Sequence, residues 1–204
     1  MKSSKLISLL DQMIENPKCE LNYNKDYELL IAVMLSAQCT DKRVNMVTEK
    51  LFKKYSLADL SVLDLKVLEN ELRSLGNYSK KAYYTKEIAK RLLSDHNGKV
   101  INDMNYLTSL PGVGRKTANV VLSELFNVPT IAVDTHVQRV SKRLELANES
   151  DDVLQVENKL LKYFDPKDYN RVNHQLVLFG RYICTSKKPN CDKCLIKCKN
   201  KKTS

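Results

Sequence analysis

The 204-residue sequence has few residues that break helices and no apolar segment long enough to cross a membrane. Glycine and proline number five each, about half their usual share or less, which excludes collagen-like, glycine-rich β and low-complexity chains. The longest apolar run, Leu29 to Leu35, falls far short of the roughly 20 residues that span a bilayer. The first ten residues lack a sustained apolar stretch and a small-residue cleavage site. We therefore expect no export signal, no membrane association and a cytoplasmic protein.

Acidic residues are too few to balance the basic ones, 24 against 34, so the formal net charge is +10. The excess is concentrated in residues 184–204, which contain seven lysines and one aspartate. A basic chain of this size favours a polyanionic partner, with nucleic acid before a membrane surface. A lysine-rich surface that is merely solvated is the alternative that charge alone leaves open.

Apolar residues recur at helical spacing along almost the whole chain, as in Leu6, Leu9, Leu10 and Met13. Residues 27–37 are rich in leucine, alanine and methionine, and this segment predicts a buried central helix. Further helices are predicted within residues 44–52, 63–75, 81–93, 118–125, 133–144, 154–164 and 172–183. Because no segment shows the alternation of a strand, the sequence predicts an all-α fold.

The segment Leu110-Pro-Gly-Val-Gly-Arg-Lys116 lies between two predicted helices. Pro111 ends the first helix, and Gly112 and Gly114 permit a positive φ and a close approach of the backbone to a partner. The second helix begins with unpaired N–H groups and the positive end of its dipole, which together suit a phosphate. Arg115 interrupts the Gly-Lys-Ser/Thr of a P-loop, and a dinucleotide fingerprint would need a third glycine and a preceding strand. A helix–hairpin–helix that grips a DNA backbone remains, beside a plain helix–helix turn.

Lys116 and Asp134 could carry covalent chemistry. A free lysine has a pKa near ~10.4, so a nucleophilic lysine needs surroundings that favour its neutral form. The positive helix end, the neighbouring Arg115 and partial burial would all act in that direction on Lys116. Such an amine can form a Schiff base with a sugar carbon, and an ordinary phosphate-binding lysine is the alternative. Asp134 precedes a predicted helix as an N-cap, and it could also stabilise a positive, sugar-like transition state and assist proton transfer.

Four of the six cysteines fall within 15 residues near the C-terminal end. They are Cys184, Cys191, Cys194 and Cys198. Without an export signal, this cluster favours a metal or iron–sulfur site over a disulfide framework. Four thiolates suit either a [4Fe–4S] cluster or tetrahedral zinc, and spacing alone does not decide between them. Lys187, Lys188 and Lys193 lie between the cysteines, where a folded loop would present them to phosphates.

Residues 110–122 and 129–140 together resemble the endonuclease III family. Its members are DNA glycosylases with abasic-site lyase activity in the helix–hairpin–helix glycosylase superfamily. Residues 28–41 are similar to the early helix of that family, and Gly76-Asn-Tyr-Ser-Lys-Lys-Ala82 is similar to its Gly-x-Tyr-x-x-Lys-Ala segment. The likeness covers essentially the whole chain, and the joint pattern is highly specific.

The resemblance implies two helical domains flanking a DNA-binding cleft. A six-helix domain would span residues 19–128, with the helix–hairpin–helix at about 104–125. Residues 1–18 and 129–204 would form the second domain, with an iron–sulfur cluster at 184–198. The family carries [4Fe–4S] at this place, which favours that cluster over zinc. The last gap between cysteines is usually five residues in the family and is three here.

The resemblance also implies roles for single residues. Lys116 would be the Schiff-base nucleophile and Asp134 the essential carboxylate, facing each other across the cleft into which the damaged nucleotide is flipped. Gln38 would fill the space left behind, and a buried amide that caps its own helix is the alternative. Asn77 stands where the family often places a bulky apolar wedge, and an asparagine wedges poorly. The DNA contacts predicted from all these features are Gln38, Asn77, Gly112, Gly114, Arg115, Lys187, Lys188 and Lys193.

The predicted function is base-excision repair by a nucleoid-associated monomer acting on double-stranded DNA with damaged bases or abasic sites. The enzyme would remove oxidised pyrimidines and cut the strand by β-elimination. A mismatch or purine glycosylase of the same superfamily and a non-catalytic DNA-binding module are the alternatives. Lys116 favours the first activity, because superfamily members that excise bases without cutting the strand usually lack a lysine there.

Overall fold

The computed structural model describes residues 1–198, and no strand occurs in that range, which confirms the all-α fold. Three lysines of the basic tail, Lys199, Lys201 and Lys202, lie outside the described residues. Within them, no helix combines the length and the apolar character that crossing a bilayer requires.

Residues 1–198 form eleven α-helices and two short 3₁₀-helices, Pro166–Asp168 and Cys191–Lys193. The α-helices are α1 (Ser3–Met13), α2 (Asp26–Leu35), α3 (Asp41–Lys54), α4 (Leu57–Val62), α5 (Leu65–Leu72), α6 (Tyr78–His96), α7 (Met104–Ser109), α8 (Arg115–Phe126), α9 (Thr135–Arg143), α10 (Val153–Tyr163) and α11 (Tyr169–Tyr182). The chain divides into two compact units, one of Glu20–Phe126 and one that joins Met1–Cys19 to the chain from Asn127 onwards.

The Glu20–Phe126 unit contains seven α-helices, α2 to α8, one more than the six expected. The difference involves short helices such as α4, which has six residues. Ser56 caps α4, because its Oγ accepts from the Asp59 N–H while the Asp59 carboxylate accepts from the Ser56 N–H. A helix of six residues is too short to show an apolar period, and its start is fixed by capping instead.

Helix α2 is the core of the Glu20–Phe126 unit. Every residue from Leu29 to Leu35 is at most 3% exposed, and the helix packs against α3, α6 and α8. A helix that is apolar on all sides is stable only when it is covered on all sides, so the predicted central helix is confirmed. Helix α8 packs on this core through its own buried residues, which include Ala118 and Val121.

The second unit is built around α11, which packs against α1 and α9, while α10 packs against α9. Its core is apolar and includes Leu6, Leu10, Val137, Val140, Leu160, Leu176, Phe179 and Ile196. Helices α9 and α11 approach closely at Gly180. A Cβ atom there would lie 2.9 Å from the Cβ of His136 and 3.0 Å from Cγ2 of Val140. The missing side chain therefore lets α11 lie directly on α9, the helix that Asp134 precedes.

We expect Gly180→Ala to lower the free energy of unfolding by about 1–3 kcal/mol, because the added methyl group overpacks the contact between α9 and α11. Alanine normally stabilises a helix interior by roughly 1 kcal/mol relative to glycine, so a net loss would isolate the effect of that contact. Urea unfolding measures it, with Gly114→Ala as the control, since a Cβ atom there would meet nothing within 4 Å. A variant more stable than the wild type by roughly 1 kcal/mol, the full gain from helix propensity, would show that the two helices separate without cost.

Candidate functional site

The hairpin between α7 and α8 is a tight turn centred on Pro111 and Gly112. The Val113 N–H donates to the Leu110 carbonyl at 3.1 Å, which closes a four-residue turn. Gly112 has a φ of +77°, as the third position of a type II turn requires. A Cβ atom on Gly112 would overlap the Tyr84 ring of α6, with Cγ and Cε2 only 3.0 Å away. Both the turn and its packing against α6 therefore require glycine here.

Gly114 differs from Gly112. Among the described residues, the glycines with positive φ are Gly98 and Gly112, so Gly112 uses the conformational freedom that glycine permits and Gly114 does not. The Gly114 carbonyl accepts from the Ala118 N–H at 3.0 Å, so Gly114 already continues smoothly into α8. Its contacts within the chain give no reason for a glycine.

Lys116 is the second residue of α8, as the sequence predicts. Lys116 and its neighbour Arg115 are both exposed, whereas the sequence analysis expects partial burial of Lys116. The difference arises because the buried face of α8 starts at Ala118, one turn further along. The first turn of α8 contains no acidic residue. Two cationic side chains thus stand at the positive end of the helix, directly after the hairpin.

Asp134 is the N-cap of α9, as predicted, and is partly buried. Its Oδ1 accepts hydrogen bonds from the backbone N–H groups of His136 and Val137, each at 2.8 Å. Both bonds use Oδ1, so Oδ2 takes no part in the cap. The carboxylate is therefore fixed in orientation by the start of α9. Asp134 belongs to the second unit and Lys116 to the Glu20–Phe126 unit.

Gln38 and Asn77 are both exposed, and the structure brings them together. The Asn77 side-chain amide donates to Oε1 of Gln38 at 3.5 Å, a long hydrogen bond. Gln38 thus bonds to the residue that begins α6 instead of capping α2. Both residues have a left-handed backbone, with φ of 59° and 56°. The sequence predicts a DNA contact at each residue but no hydrogen bond between the two.

Lys81 lies beside this pair, and the sequence analysis missed it as a functional residue. It is only 4% exposed, and its Nζ donates to the Ala37 carbonyl at 2.9 Å and to Sγ of Cys39 at 3.2 Å. The available signal was its position directly before Ala82, which matches the lysine of the Gly-x-Tyr-x-x-Lys-Ala segment. A lysine in a resembled motif does not by itself reveal its partner, which lies 44 positions away in the chain.

The four C-terminal cysteines line one cavity of about 270 Å³. All four are free thiols. Burial raises the pKa of Cys194, a hydrogen bond from the Ile196 backbone opposes this, and the other three thiols add to the rise. Metals bind the thiolate form of cysteine, so a cation bound in this cavity would displace the thiol protons. Within residues 1–198, no three or more His, Cys, Asp or Glu side chains are grouped as ligands of a single metal ion.

Two arginines of α9 bind backbone carbonyls at the start of the cysteine loop, residues 184–198. No sequence pattern marked either arginine as functional. Arg139 Nη2 donates to the Gly180 carbonyl at 2.6 Å. Arg143 donates to the carbonyls of Thr185 at 2.7 Å and Ser186 at 2.9 Å. Burial and the adjacent Arg143 lower the pKa of Arg139. Lys187, Lys188 and Lys193 project from the same loop and are exposed.

Comparison with known proteins identifies the family. Residues 31–166 match the HhH-GPD superfamily of base excision DNA repair proteins. The match extends over two thirds of the chain, from α2 to the end of α10. The chain belongs to this superfamily, which the helix–hairpin–helix around Gly112 also characterises.

Curated relatives narrow the similarity to endonuclease III. Endonuclease III of Bacillus subtilis (strain 168) is 45% identical over 186 residues, covering 91% of this chain and 85% of the relative. That of Escherichia coli (strain K12) is 43% identical over 200 residues, covering 96% and 94%. A solved trapped endonuclease III–DNA covalent intermediate, an estranged-adenine complex, is 43% identical with a TM-score of 0.90, covering 98% of this chain and 96% of that one. The resemblance inferred from the sequence is confirmed.

We expect Gly112→Ala to destabilise the protein by about 1–3 kcal/mol, because alanine is strained at a positive φ and its methyl group would collide with Tyr84. Gly114→Ala at the other end of the same turn should change stability by less than roughly 0.5 kcal/mol. Chemical unfolding of both variants measures the contrast. Equal losses would show that neither the positive φ of Gly112 nor its contact with Tyr84 is the cause.

Proposed function

We propose that this protein excises oxidised pyrimidines from double-stranded DNA and then cleaves the strand at the resulting abasic site by β-elimination. The observation that carries the proposal is the exposed Lys116 in the first turn of α8, directly after the hairpin. Superfamily membership and 43–45% identity to endonuclease III support the same activity. The protein is a DNA glycosylase and a DNA lyase.

The hairpin binds the phosphate backbone of the DNA. The positive end of α8 and the side chain of Arg115 attract a phosphate, and the open space at Gly114 lets the DNA approach the peptide backbone closely. Structures of endonuclease III in complex with DNA are among the solved relatives, which supports a duplex partner. We expect a monomer associated with the nucleoid.

Lys116 attacks the sugar of the damaged nucleotide. Its neutral amine forms a bond to C1′ while the bond from C1′ to the base breaks, and the departing base takes up a proton. The C1′–O4′ bond of the sugar ring then opens, O4′ takes up a proton, and a carbon–nitrogen double bond, the Schiff base, forms between C1′ and Lys116. This Schiff base makes the C2′ proton acidic. Loss of that proton expels the 3′ phosphate, and water then releases the sugar from Lys116. The trapped covalent intermediate between endonuclease III and DNA supports a covalent route.

Asp134 supplies the carboxylate for this sequence of steps. Two backbone N–H groups of α9 hold its Oδ1, which leaves Oδ2 for the positive charge that develops on the sugar. The same carboxylate can move protons between the amine, the sugar and water. We infer that Lys116 and Asp134 act on one flipped nucleotide.

Cys184, Cys191, Cys194 and Cys198 are the proposed ligands of a [4Fe–4S] cluster. Their thiols line one cavity of about 270 Å³, and the proposed cluster would take one thiolate from each. Cys198 lines this cavity with the other three, despite its shorter spacing from Cys194. The bound cluster would be held by the four thiolates and would cross-link the loop. Lys187, Lys188 and Lys193 are thereby held on the loop, where they contact DNA phosphates.

Borohydride trapping on a duplex that contains thymine glycol tests the nucleophile. The wild type should form a covalent protein–DNA product, and Lys116→Gln should reduce trapping by at least about 10³-fold, because no other amine replaces the attacking one. Asp134→Asn should keep the N-cap, since an amide oxygen also accepts hydrogen bonds, and should slow trapping by about 10²-fold or more.

Two results would contradict this assignment. Trapping by Lys116→Gln at the wild-type rate would show that another amine attacks the sugar. Excision from mismatched duplexes alone would favour a mismatch glycosylase instead. Matched unfolding midpoints of the variants ensure that rates are compared between folded proteins.

Cys194→Ser tests the cofactor. The purified wild type should be brown, with broad absorption near ~400 nm and about four irons per chain. The substitution should remove most of that absorption, because it deletes one ligand. Cys19→Ser is the matched control, since Cys19 lies outside the cavity lining. Wild-type protein that contains zinc and no iron would overturn the cluster assignment.

A further inference from the structure

Lys81 is a buried ammonium group that bonds to a turn, not to an acid. Among the described residues it forms no ion pair, and its Nζ contacts only uncharged partners, the Ala37 carbonyl and the Cys39 thiol. Burying a charge without an opposite charge is costly, so this arrangement is a poor way to gain stability. The cost of burying Lys81 indicates that the turn at residues 37–39, to which it bonds, must be held in one position.

The two contacts of Lys81 lie on either side of Gln38. The turn begins where α2 ends, and the Cys39 N–H donates to the Ser36 carbonyl at 3.0 Å. Gln38 adopts φ of 59° within this turn, a conformation that costs a residue other than glycine about 1–2 kcal/mol. Such strain persists only where surrounding contacts enforce it, and it concentrates at functional sites. The ammonium group of Lys81 supplies that enforcement from both sides.

Helix α6 provides both anchors of the Gln38 turn. Asn77, the N-cap of the helix, donates to the Gln38 side chain, while Lys81, one turn later, donates to the backbone carbonyl of Ala37. The Lys81 N–H donates to the Asn77 carbonyl at 3.1 Å, so the two anchors are locked together. Gln38 and Asn77 thus present two exposed amides in one fixed arrangement.

We propose that Lys81 is a positioning residue that fixes the Gln38 turn, so that the amides of Gln38 and Asn77 meet the exposed edges of DNA bases next to the flipped nucleotide. The inference rests on the proposed function. Side-chain amides donate and accept at once, which matches the mixed donor and acceptor edges of bases. A preset pair loses less conformational freedom on binding DNA than two freely rotating side chains do.

Lys81→Met is the central test, and Lys86→Met is its matched control. Lys86 lies on the same helix, is partly buried and also donates to a backbone carbonyl, that of Leu63 at 2.7 Å. In the free protein, Lys81→Met should accelerate amide hydrogen exchange at residues 37 and 39 by roughly tenfold, because the turn opens more often. Lys86→Met should leave exchange there unchanged.

Single-turnover excision from a thymine-glycol duplex provides the second measurement. Lys81→Met should slow excision by roughly tenfold through misplacement of the amides, and binding to undamaged duplex should stay within about twofold. Lys86→Met should excise at the wild-type rate. In a double-mutant cycle with Gln38→Ala, adding Lys81→Met should slow excision no further, because Lys81 acts through Gln38.

Independent, multiplying effects of Lys81→Met and Gln38→Ala would overturn the proposal, and so would an unchanged excision rate or unchanged exchange in Lys81→Met. If Lys81→Met does not fold, Lys81→Gln replaces it, since its amide is one atom shorter and cannot reach both partners. If the wild type itself excises no base, the proposed function fails, and the exchange measurement alone decides whether Lys81 holds the turn.

Discussion

The burial of helix α2 is the constraint on which the exposed residues of the Glu20–Phe126 unit depend. Its apolar surface is covered by α3, α6 and α8, and each of these contacts fixes a neighbouring helix. The Gln38 turn follows the end of α2, Asn77 begins α6, and Lys116 lies in the first turn of α8. The packing of α2 thus sets the positions of the Gln38 turn, Asn77 and Lys116, although none of these belongs to α2.

Helix α9 has a comparable role in the second unit. Asp134 caps its start, and Arg139 and Arg143 near its end hold the backbone of the cysteine loop. Gly180 lets α11, which leads into Cys184, lie directly against α9. The proposed catalytic carboxylate and the proposed cluster ligands are therefore attached to one short helix. A structural role for the cluster follows, since the loop it would cross-link is packed on the helix that orients Asp134.

Local sequence patterns predicted the parts of the molecule that local physics controls. The central helix follows from an uninterrupted apolar run, the N-cap role of Asp134 from its residue type, and the place of Lys116 from the proline and glycines before it. Helix α4 was missed because six residues show no period. Glycine permits a positive φ at both Gly112 and Gly114, and only Gly112 adopts one, because Gly114 already leads into α8. The partial burial expected of Lys116 was wrong, because the buried face of α8 starts at Ala118.

Contacts between distant segments were beyond the reach of those patterns. Lys81 and Ala37 are 44 positions apart, and Arg143 and Thr185 are 42 apart, so nothing in the neighbouring residues marks either pair. Both contacts pair a cationic side chain with a backbone carbonyl, which every residue possesses. A carbonyl partner therefore cannot be recognised from the residue type. A carboxylate partner would have appeared in the sequence as an acidic residue.

The hydrogen bonds from Arg139 and Arg143 to backbone carbonyls affect the order in which the parts of the cysteine loop take shape. The guanidinium groups of Arg139 and Arg143 donate directly to the backbone carbonyls of Gly180, Thr185 and Ser186. A newly synthesised chain can therefore shape one side of the loop before the proposed cluster binds. Binding of that cluster would then have to order only the other side, from Cys191 to Cys198.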